Sequence, residues 1–335
     1  MTLRALSIRL ASMIVTLFGV AVVVFVVIRV APGDPIAMML PPGATDADIE
    51  RLRALYGLDK SVVEQFLIWL AGVVQGDFGT SISLRQDVMG IVLSRLPATL
   101  ELAFAALVIA TVMGMALAII GTRRRATRTE AAVDLWNGMT LSIPDFLWGL
   151  IFILVLGVAI PLFPVSGRIA PALNPDYLTN FLLFESILRL DFAVFGNLVT
   201  HMTLPALALA LPLSAVIAQV LKQSLKEVMG LDYVMLSRAK GFSEFAVIWR
   251  EALRNAMLPT LTLVGVQFTF LIGGTVIVEK LFSYEGLGNL AIDAVINRDL
   301  PLIQGIVLIF SVLFIVINLA VDLAYAALNP RLRHG

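Results

Sequence analysis

Six stretches of this chain run for roughly twenty residues or more without a charged side chain. They are Leu10–Ile28, Leu102–Thr122, Phe146–Gly167, Phe192–Leu221, Asn255–Val278 and Leu300–Val321. A helix of about 20 apolar residues crosses about 30 Å of hydrocarbon, so each stretch is long enough to span a bilayer. In lipid a backbone must satisfy its own hydrogen bonds, and the alternation of a barrel strand is missing here. Of the 335 residues, 59% are apolar and only 14% charged, with a mean hydropathy of +0.94, which excludes an ordinary soluble domain. The expected fold class is an all-α polytopic membrane protein with six transmembrane helices. Residues 1–335 read as a single membrane domain. A first span, 8–30, is followed by an outside loop, 31–97, and a five-span core, 98–327.

Charge distribution sets the expected orientation. With a cytoplasmic N-terminus, six spans return the C-terminus to the same side. The inside segments then carry Arg4 and Arg9, Arg123–Arg125 with Arg128, six basic residues in the loop 222–257, and Arg331 with Arg333. The outside segments hold fewer basic residues, and the first of them is net acidic. Positive charge is retained inside, so both termini are expected in the cytoplasm. The first run is too long for a signal-peptide core and reads as an uncleaved span. With no cysteine in the chain, disulfides and thiolate metal sites are excluded.

Between the spans, 46–58 reads as a helix, and 61–74 as an amphipathic helix on the membrane surface or against other helices. Leu178–Leu190 is a helix-like stretch in the second outside loop, 161–203. Pro144 interrupts the third span (about 134–160), and Pro205 and Pro212 fall in the fourth (about 204–222).

The loop Lys222–Met257, KQSLKEVMGLDYVMLSRAKGFSEFAVIWREALRNAM, is far longer than a connection between two spans requires. Gly230 fits a helix C′ position, Asp232 the next N-cap, Gly241 a second C′ and Ser243 a third N-cap. This predicts a short helix, about Tyr233–Lys240, and a second from Glu244 to about Met257, with Pro259 just beyond it. Tyr233, Val234 and Leu236 mix with Arg238 and Lys240, and Phe242 and Phe245 follow at the turn. A knob for a groove on a cytosolic partner fits this pattern. So does an amphipathic helix resting on anionic lipid, and spacing alone leaves both open.

The loop resembles the cytoplasmic coupling motif of permease subunits of ATP-binding-cassette importers, in particular the dipeptide/oligopeptide permease family. Asp232-Tyr233-Val234, Arg238-Ala239-Lys240-Gly241, and Leu253-Arg254-Asn255-Ala256 with Pro259 carry the likeness. So do Asp34-Pro35, Gly76-Asp77-Phe78-Gly79-Thr80-Ser81, Arg95-Leu96-Pro97-Ala98-Thr99 and Pro164-Val165-Ser166-Gly167-Arg168. His201 with Leu204-Pro205-Ala206, Glu279 with Phe282-Ser283 and Gly286-Leu287-Gly288, and Asn297-Arg298-Asp299 with Pro301 and Gln304-Gly305 continue the series, which ends at Asn329-Pro330-Arg331. Met235, Ser237 and Glu285 depart from the pattern.

The resemblance implies a type I importer permease fold in a bacterial or archaeal plasma (inner) membrane. It implies four kinds of partner: a second homologous permease, two cytosolic ATPases, an external substrate-binding protein and the lipid bilayer; no nucleic acid is expected. The ATPase-coupling residues it implies are Asp232, Tyr233, Arg238, Ala239, Lys240, Gly241, Phe242, Arg254, Asn255 and Pro259. This chain has no G-x-x-x-x-G-K-[ST] loop, so ATP and Mg are expected on the partner subunits, with no cofactor here. Peptides are the implied cargo; relatives of the family also take nickel, glutathione or oligosaccharides.

Asp145 is an acid placed well inside a span, at a cost of about 2.5–3.5 kcal/mol if it faced lipid. It reads either as part of the substrate pathway, meeting a peptide's amino terminus, or as a partner for backbone groups freed by Pro144. Gln267 could line the same route or bond across helices. Glu101 is expected at the membrane interface, and Arg29 is expected to snorkel outward. His201 has too few neighbours for a metal site, and nothing assembles a nucleophile, base and oxyanion hole. Two other classes of function compete. One is a proton-coupled secondary transporter using Asp145 and Glu101, which the long loop and lack of repeated broken helices disfavour. The other is an anchor or receptor without transport.

Overall fold

The computed structural model describes residues 3–30, 45, 50 and 59–328. The expected helix 46–58 and the motifs Asp34-Pro35 and Asn329-Pro330-Arg331 lie outside the described residues. All the long regular elements described are helical. Among the described residues, five helices are long and apolar enough to cross a membrane, and six if one sharply bent pair counts as a single span.

The chain forms two compact units. One holds the described residues up to Leu96 together with Leu290–Val316, and the other holds Pro97–Asn289 with Ile317–Leu328.

In the first unit, α1 (Leu3–Val30) is the first span. Arg29 lies in its last turn, with the guanidinium 5.1 Å from the Phe25 ring centre, so its stem is anchored on the helix it leaves. The amphipathic segment is α2 (Val62–Val74), started by a reciprocal capping box between Ser61 and Glu64. Phe66 and Trp69 of α2 pack on Phe25 of α1 at 5.3 and 5.6 Å between ring centres. Of the two placements expected for this segment, the structure supplies the one against a helix.

α3 (Val88–Arg123) begins ten residues before the expected start of its span and runs through Pro97. Its first turn is held by the Asp87 carboxylate, which accepts from the Gly90 amide at 2.7 Å. α4 (Arg128–Ser142) and α5 (Asp145–Ala159) form the bent pair, turning by 100° at Ile143-Pro144. The last seven residues of α5 are π-helical. α6 (Leu182–Leu188) is shorter than the expected 178–190. The amides of Leu178 and Thr179 bond the Glu185 carboxylate at 2.8 Å instead of joining a helix.

α7 (Phe192–Val228) is the core helix of the second unit. In its most apolar window 72% is buried, against 28% for α3. It starts twelve residues earlier than expected, because Asp191 caps it by accepting from the Val194 amide. α8 (Asp232–Ala239) follows. α9 then runs without interruption from Glu244 to Leu281, where two segments parted near Met257 were expected. Pro259 removes only one amide donor, and packing in membrane helices compensates for such losses. A π-helical stretch, Val247–Ala252, sits just before that proline. α10 (Leu287–Ile296) and α11 (Leu300–Leu328) complete the chain.

Two glycines set helix separations in the second unit. A Cβ on Gly114 of α3 would lie 2.7 Å from the Ser214 carbonyl oxygen of α7, and one on Gly265 of α9 would lie 2.5 Å from Val321 Cγ1 of α11. Small residues let membrane helices approach to this distance.

Candidate docking surface and membrane cavity

α8 is built as a short, presented helix. Its N-cap is Leu231 and Asp232 is its first residue, one position from the expected cap. An acid in the first turn and Arg238 in the last still complement the helix dipole. Val234 and Ser237 face inward and are buried, whereas Tyr233, Met235 and Leu236 are exposed. The Ser237 hydroxyl bonds back to the Tyr233 carbonyl at 3.2 Å, which accounts for a small polar residue there. Met235 adds apolar surface to the exposed side.

The turn after α8 is closed as expected. Gly241 takes φ +84° and its amide bonds the Arg238 carbonyl at 2.9 Å. A Cβ at Gly241 would meet nothing within 4 Å, so the requirement is conformational rather than steric. Ser243 caps α9 through the Ala246 amide. Across the turn, Arg238 grips Glu244 with two nitrogens, at 2.9 and 3.2 Å. Phe242 lies 5.7 Å below the Arg250 guanidinium, and Phe245 stacks on Trp249 with rings 6.1 Å apart. Glu244 and Trp249 were not singled out in the sequence, though Glu244 directly follows the cap residue.

Two of the expected coupling residues meet. Asn255 Nδ2 of α9 donates to the Tyr233 hydroxyl of α8 at 2.8 Å. Asp232, Ala239, Lys240, Arg254 and Pro259 are exposed. Beneath the surface, Leu221 and Leu225 of α7, Ala118 of α3, and Ile248, Ala252, Leu253 and Ala256 of α9 form a buried cluster. α8 packs on the π-helical stretch of α9, whose Ile248 and Ala252 belong to this cluster. Lys222, near the end of α7, bridges Glu130 and Asp134 of α4 at 2.8 and 2.7 Å.

Away from α8, motifs scattered along the sequence converge on three buried acids. Glu279 is fully buried and accepts from Thr99 Oγ1 at 2.7 Å and from the amides of Gly288 and Asn289 at 2.7 and 3.1 Å. Thr99 in turn accepts from the Leu287 amide, so one hydroxyl links α3, α9 and the start of α10. Asp299 accepts from Ser81 Oγ at 2.5 Å and from both the amide and the hydroxyl of Ser83. Burial raises the Asp299 carboxyl, but the Ser81 and Ser83 donors outweigh it and hold the group below its usual range. Glu101 is the third. It is buried in an ion pair with Arg168 at 2.7 Å and accepts from the Leu183 amide of α6 at 2.9 Å. A buried cation and a helix N-terminus thus hold the Glu101 carboxyl within the protein.

His201 is buried with Nδ1 against the Asn197 carbonyl at 2.9 Å, and among the described residues no cluster fit for a metal ion is found.

Asp145 and Gln267 are brought together. Both line a cavity of about 380 Å³ where the bend before α5, Pro212 of α7 and Gly274 of α9 meet. Asp145 is half-buried and is the first residue of α5. Its Oδ1 accepts from the Phe146 amide at 2.7 Å.

Comparison with known proteins places this geometry in a family. Residues 110–334 match the family model described as binding-protein-dependent transport system inner membrane component, and residues 2–103 match that for the N-terminal part of such components. The chain is 37% identical over 328 residues to the di/tripeptide transport system permease protein DppB of Pseudomonas aeruginosa, covering 97% of each. It is 38% identical over 333 residues to the dipeptide transport system permease protein DppB of Escherichia coli, again covering 97% of each. The oligopeptide transport system permease protein AppB of Bacillus subtilis is 35% identical over 319 residues, 95% of each. In fold the chain is similar to the MetNI methionine ABC transporter in an inward-facing conformation, with a TM-score of 0.56 at 14% identity over 72% of this chain and 97% of that one.

The fold is that of an ABC importer permease, a membrane transport subunit. The chain belongs to the binding-protein-dependent transport system inner membrane component family.

Proposed function

We propose that this chain is one of two permease subunits of an ATP-driven peptide importer in a bacterial inner membrane, with both termini cytoplasmic. A cytosolic ATPase docks on the exposed face of α8, and two such ATPases bind the ATP and Mg that this chain has no loop to hold. The second permease is a homologous chain, and an external binding protein delivers di- or oligopeptides to the opposite side. The observation that carries this reading is the mounting of α8. Its apolar face is exposed, its turn is locked by Gly241 and the Arg238–Glu244 pair, and its base is bonded to α9 through Tyr233 and Asn255.

Asp232, Tyr233, Arg238, Ala239, Lys240, Gly241, Phe242, Arg254, Asn255 and Pro259 are the residues assigned to coupling. Among them Arg238 acts within the turn, since its nitrogens are engaged by Glu244. ATPase closure moves α8 as a rigid body and, through the buried cluster, moves α7 and α9. The cargo route passes the cavity lined by Asp145 and Gln267. Peptide cargo is supported by the relatives named above, which match this chain over nearly their whole length.

The test uses the reconstituted complex with its ATPases and binding protein. Gly241→Trp should leave insertion of this chain intact while abolishing peptide uptake and binding-protein-stimulated ATP hydrolysis. Uptake at the unaltered rate would overturn the coupling role.

A further inference from the structure

A sharp bend, a proline and a glycine meet around one cavity: the 100° turn between α4 and α5, Pro212 within α7, and Gly274 within α9. Its depth follows from the chain. Gln267 is 13 residues from Arg254 and 12 from Glu279, the charges that bound the apolar run of α9. At 1.5 Å per residue it lies about 18–20 Å from either. Pro212 lies ten residues from Lys222, about 15 Å along α7. Both measures put the cavity near the middle of a hydrocarbon layer about 30 Å thick.

The lining is aliphatic and aromatic except for two side chains, Asp145 and Gln267. Asp145 is the one ionisable group in it. One carboxylate oxygen takes the Phe146 amide, and among the described residues no Lys, Arg or His stands within ion-pair distance of the other. An acid at this depth faces the bundle interior or a water-filled cavity rather than lipid. The volume, about 380 Å³, is in the range of small-molecule sites.

We propose that Asp145 is a cation-recognition site at the membrane midplane. The transported molecule presents an ammonium group to its free carboxylate oxygen while Gln267 hydrogen-bonds a neighbouring carbonyl or amide of the cargo. The permease then filters what the binding protein delivers, favouring cargo with an accessible positive group and opposing anionic cargo. This rests on the reading of the chain as a transport subunit and adds a chemical requirement to it.

The chain has no cysteine, so Gln267→Cys introduces the one thiol of this subunit beside Asp145. The complex, in nanodiscs, is treated with a trimethylammonium-bearing or a sulfonate-bearing methanethiosulfonate, and modification is read from the mass of this chain. Relative to their rates on free 2-mercaptoethanol, the cationic reagent should be favoured about tenfold or more. Adding Asp145→Asn, which keeps the size and the bond to Phe146, should erase that preference. A preference that survives Asp145→Asn overturns the proposal, as does failure of both reagents to reach the introduced thiol. Uptake of trialanine separates the two levels of inference. Absence of ATP-dependent uptake by the unaltered complex would overturn the transport reading. Equal uptake by the unaltered and Asp145→Asn complexes would overturn this proposal alone.

Discussion

The Tyr233 hydroxyl and the Asn255 amide, 22 residues apart in sequence, meet at 2.8 Å and bind α8 to the helix that enters the membrane. An exposed neutral hydrogen bond is worth about 0.5–1.5 kcal/mol net. Tyr233→Phe and Asn255→Ala should therefore each lower binding-protein-stimulated ATP hydrolysis several-fold without preventing assembly. The double variant should be no worse than the more impaired single one, because both remove the same bond. A double-mutant cycle on stimulated ATP hydrolysis measures this, and additive losses would separate the two residues.

Arg238 and Glu244 close the turn around Gly241 with a two-pronged contact between partly exposed groups. Exposed pairs contribute about 0.2–1 kcal/mol. Reversing Arg238 alone to Glu places two acids side by side and should cut coupled uptake. The exchange Arg238→Glu with Glu244→Arg should recover most of the loss. If the exchange is as impaired as the single reversal, Arg238 touches the ATPase directly, and its role within the turn is secondary.

Glu279 is fully buried against the Thr99 hydroxyl and two amides, and nearby glycines leave no space beside it. A Cβ on Gly286 would stand 2.3 Å from Glu279 Oε2, and one on Gly288 would stand 2.5 Å from Val276 Cα. Leaving a buried donor or acceptor without its partner costs about 1–3 kcal/mol. Glu279→Gln and Gly288→Ala should both lower the melting temperature of the detergent-solubilised chain by several degrees and reduce its yield in gel filtration. Thr99→Val should do the same to a smaller extent.

Glu185 governs the loop between Leu178 and Asp191. Burial alone would raise its carboxyl, but the Leu178 and Thr179 amides, the Thr179 hydroxyl and Arg189 bring it down from an ordinary 4.5 to about 2. A depressed acid stabilises the fold above its unfolded value and loses that contribution as pH falls through its folded value. The loop should therefore hold unchanged above pH 4.5 and loosen progressively between there and about pH 2. Hydrogen exchange of the Leu178 and Thr179 amides across that range tests this. Thr179→Val should move the loosening upward in pH.

The spans were legible because lipid leaves so few options: a long uncharged run has to be a helix. Their ends were less legible. Asp87 extends α3 beyond its apolar run by capping a helix that leaves the hydrocarbon, and Asp191 starts α7 at the first residue of its run, twelve residues ahead of the expected span. Pro259 was read as a stop because proline ends helices in water, whereas α9 carries it between packed neighbours. In the docking segment the cap at Ser243 and the left-handed Gly241 were readable from local chemistry. Tyr233 with Asn255 and Arg238 with Glu244 were not readable as pairs, since each depends on how α8 folds back on α9. The pairing of Glu101 with Arg168, 67 residues away, was unreadable for the same reason.

The approach of Gly265 to Val321 falls close to the midpoint of α9, whose 38 residues extend for about 57 Å. A rod pressed against a neighbour at its middle behaves as a seesaw. Tilting it by one degree carries each end about 0.5 Å, in opposite directions, on a half-length of about 28 Å. One end is the Gly241 turn and the other is Glu279 with its Thr99 bond. A push that draws the first end inward must therefore swing the second outward, so one continuous helix ties what happens on one face of the membrane to its opposite on the other.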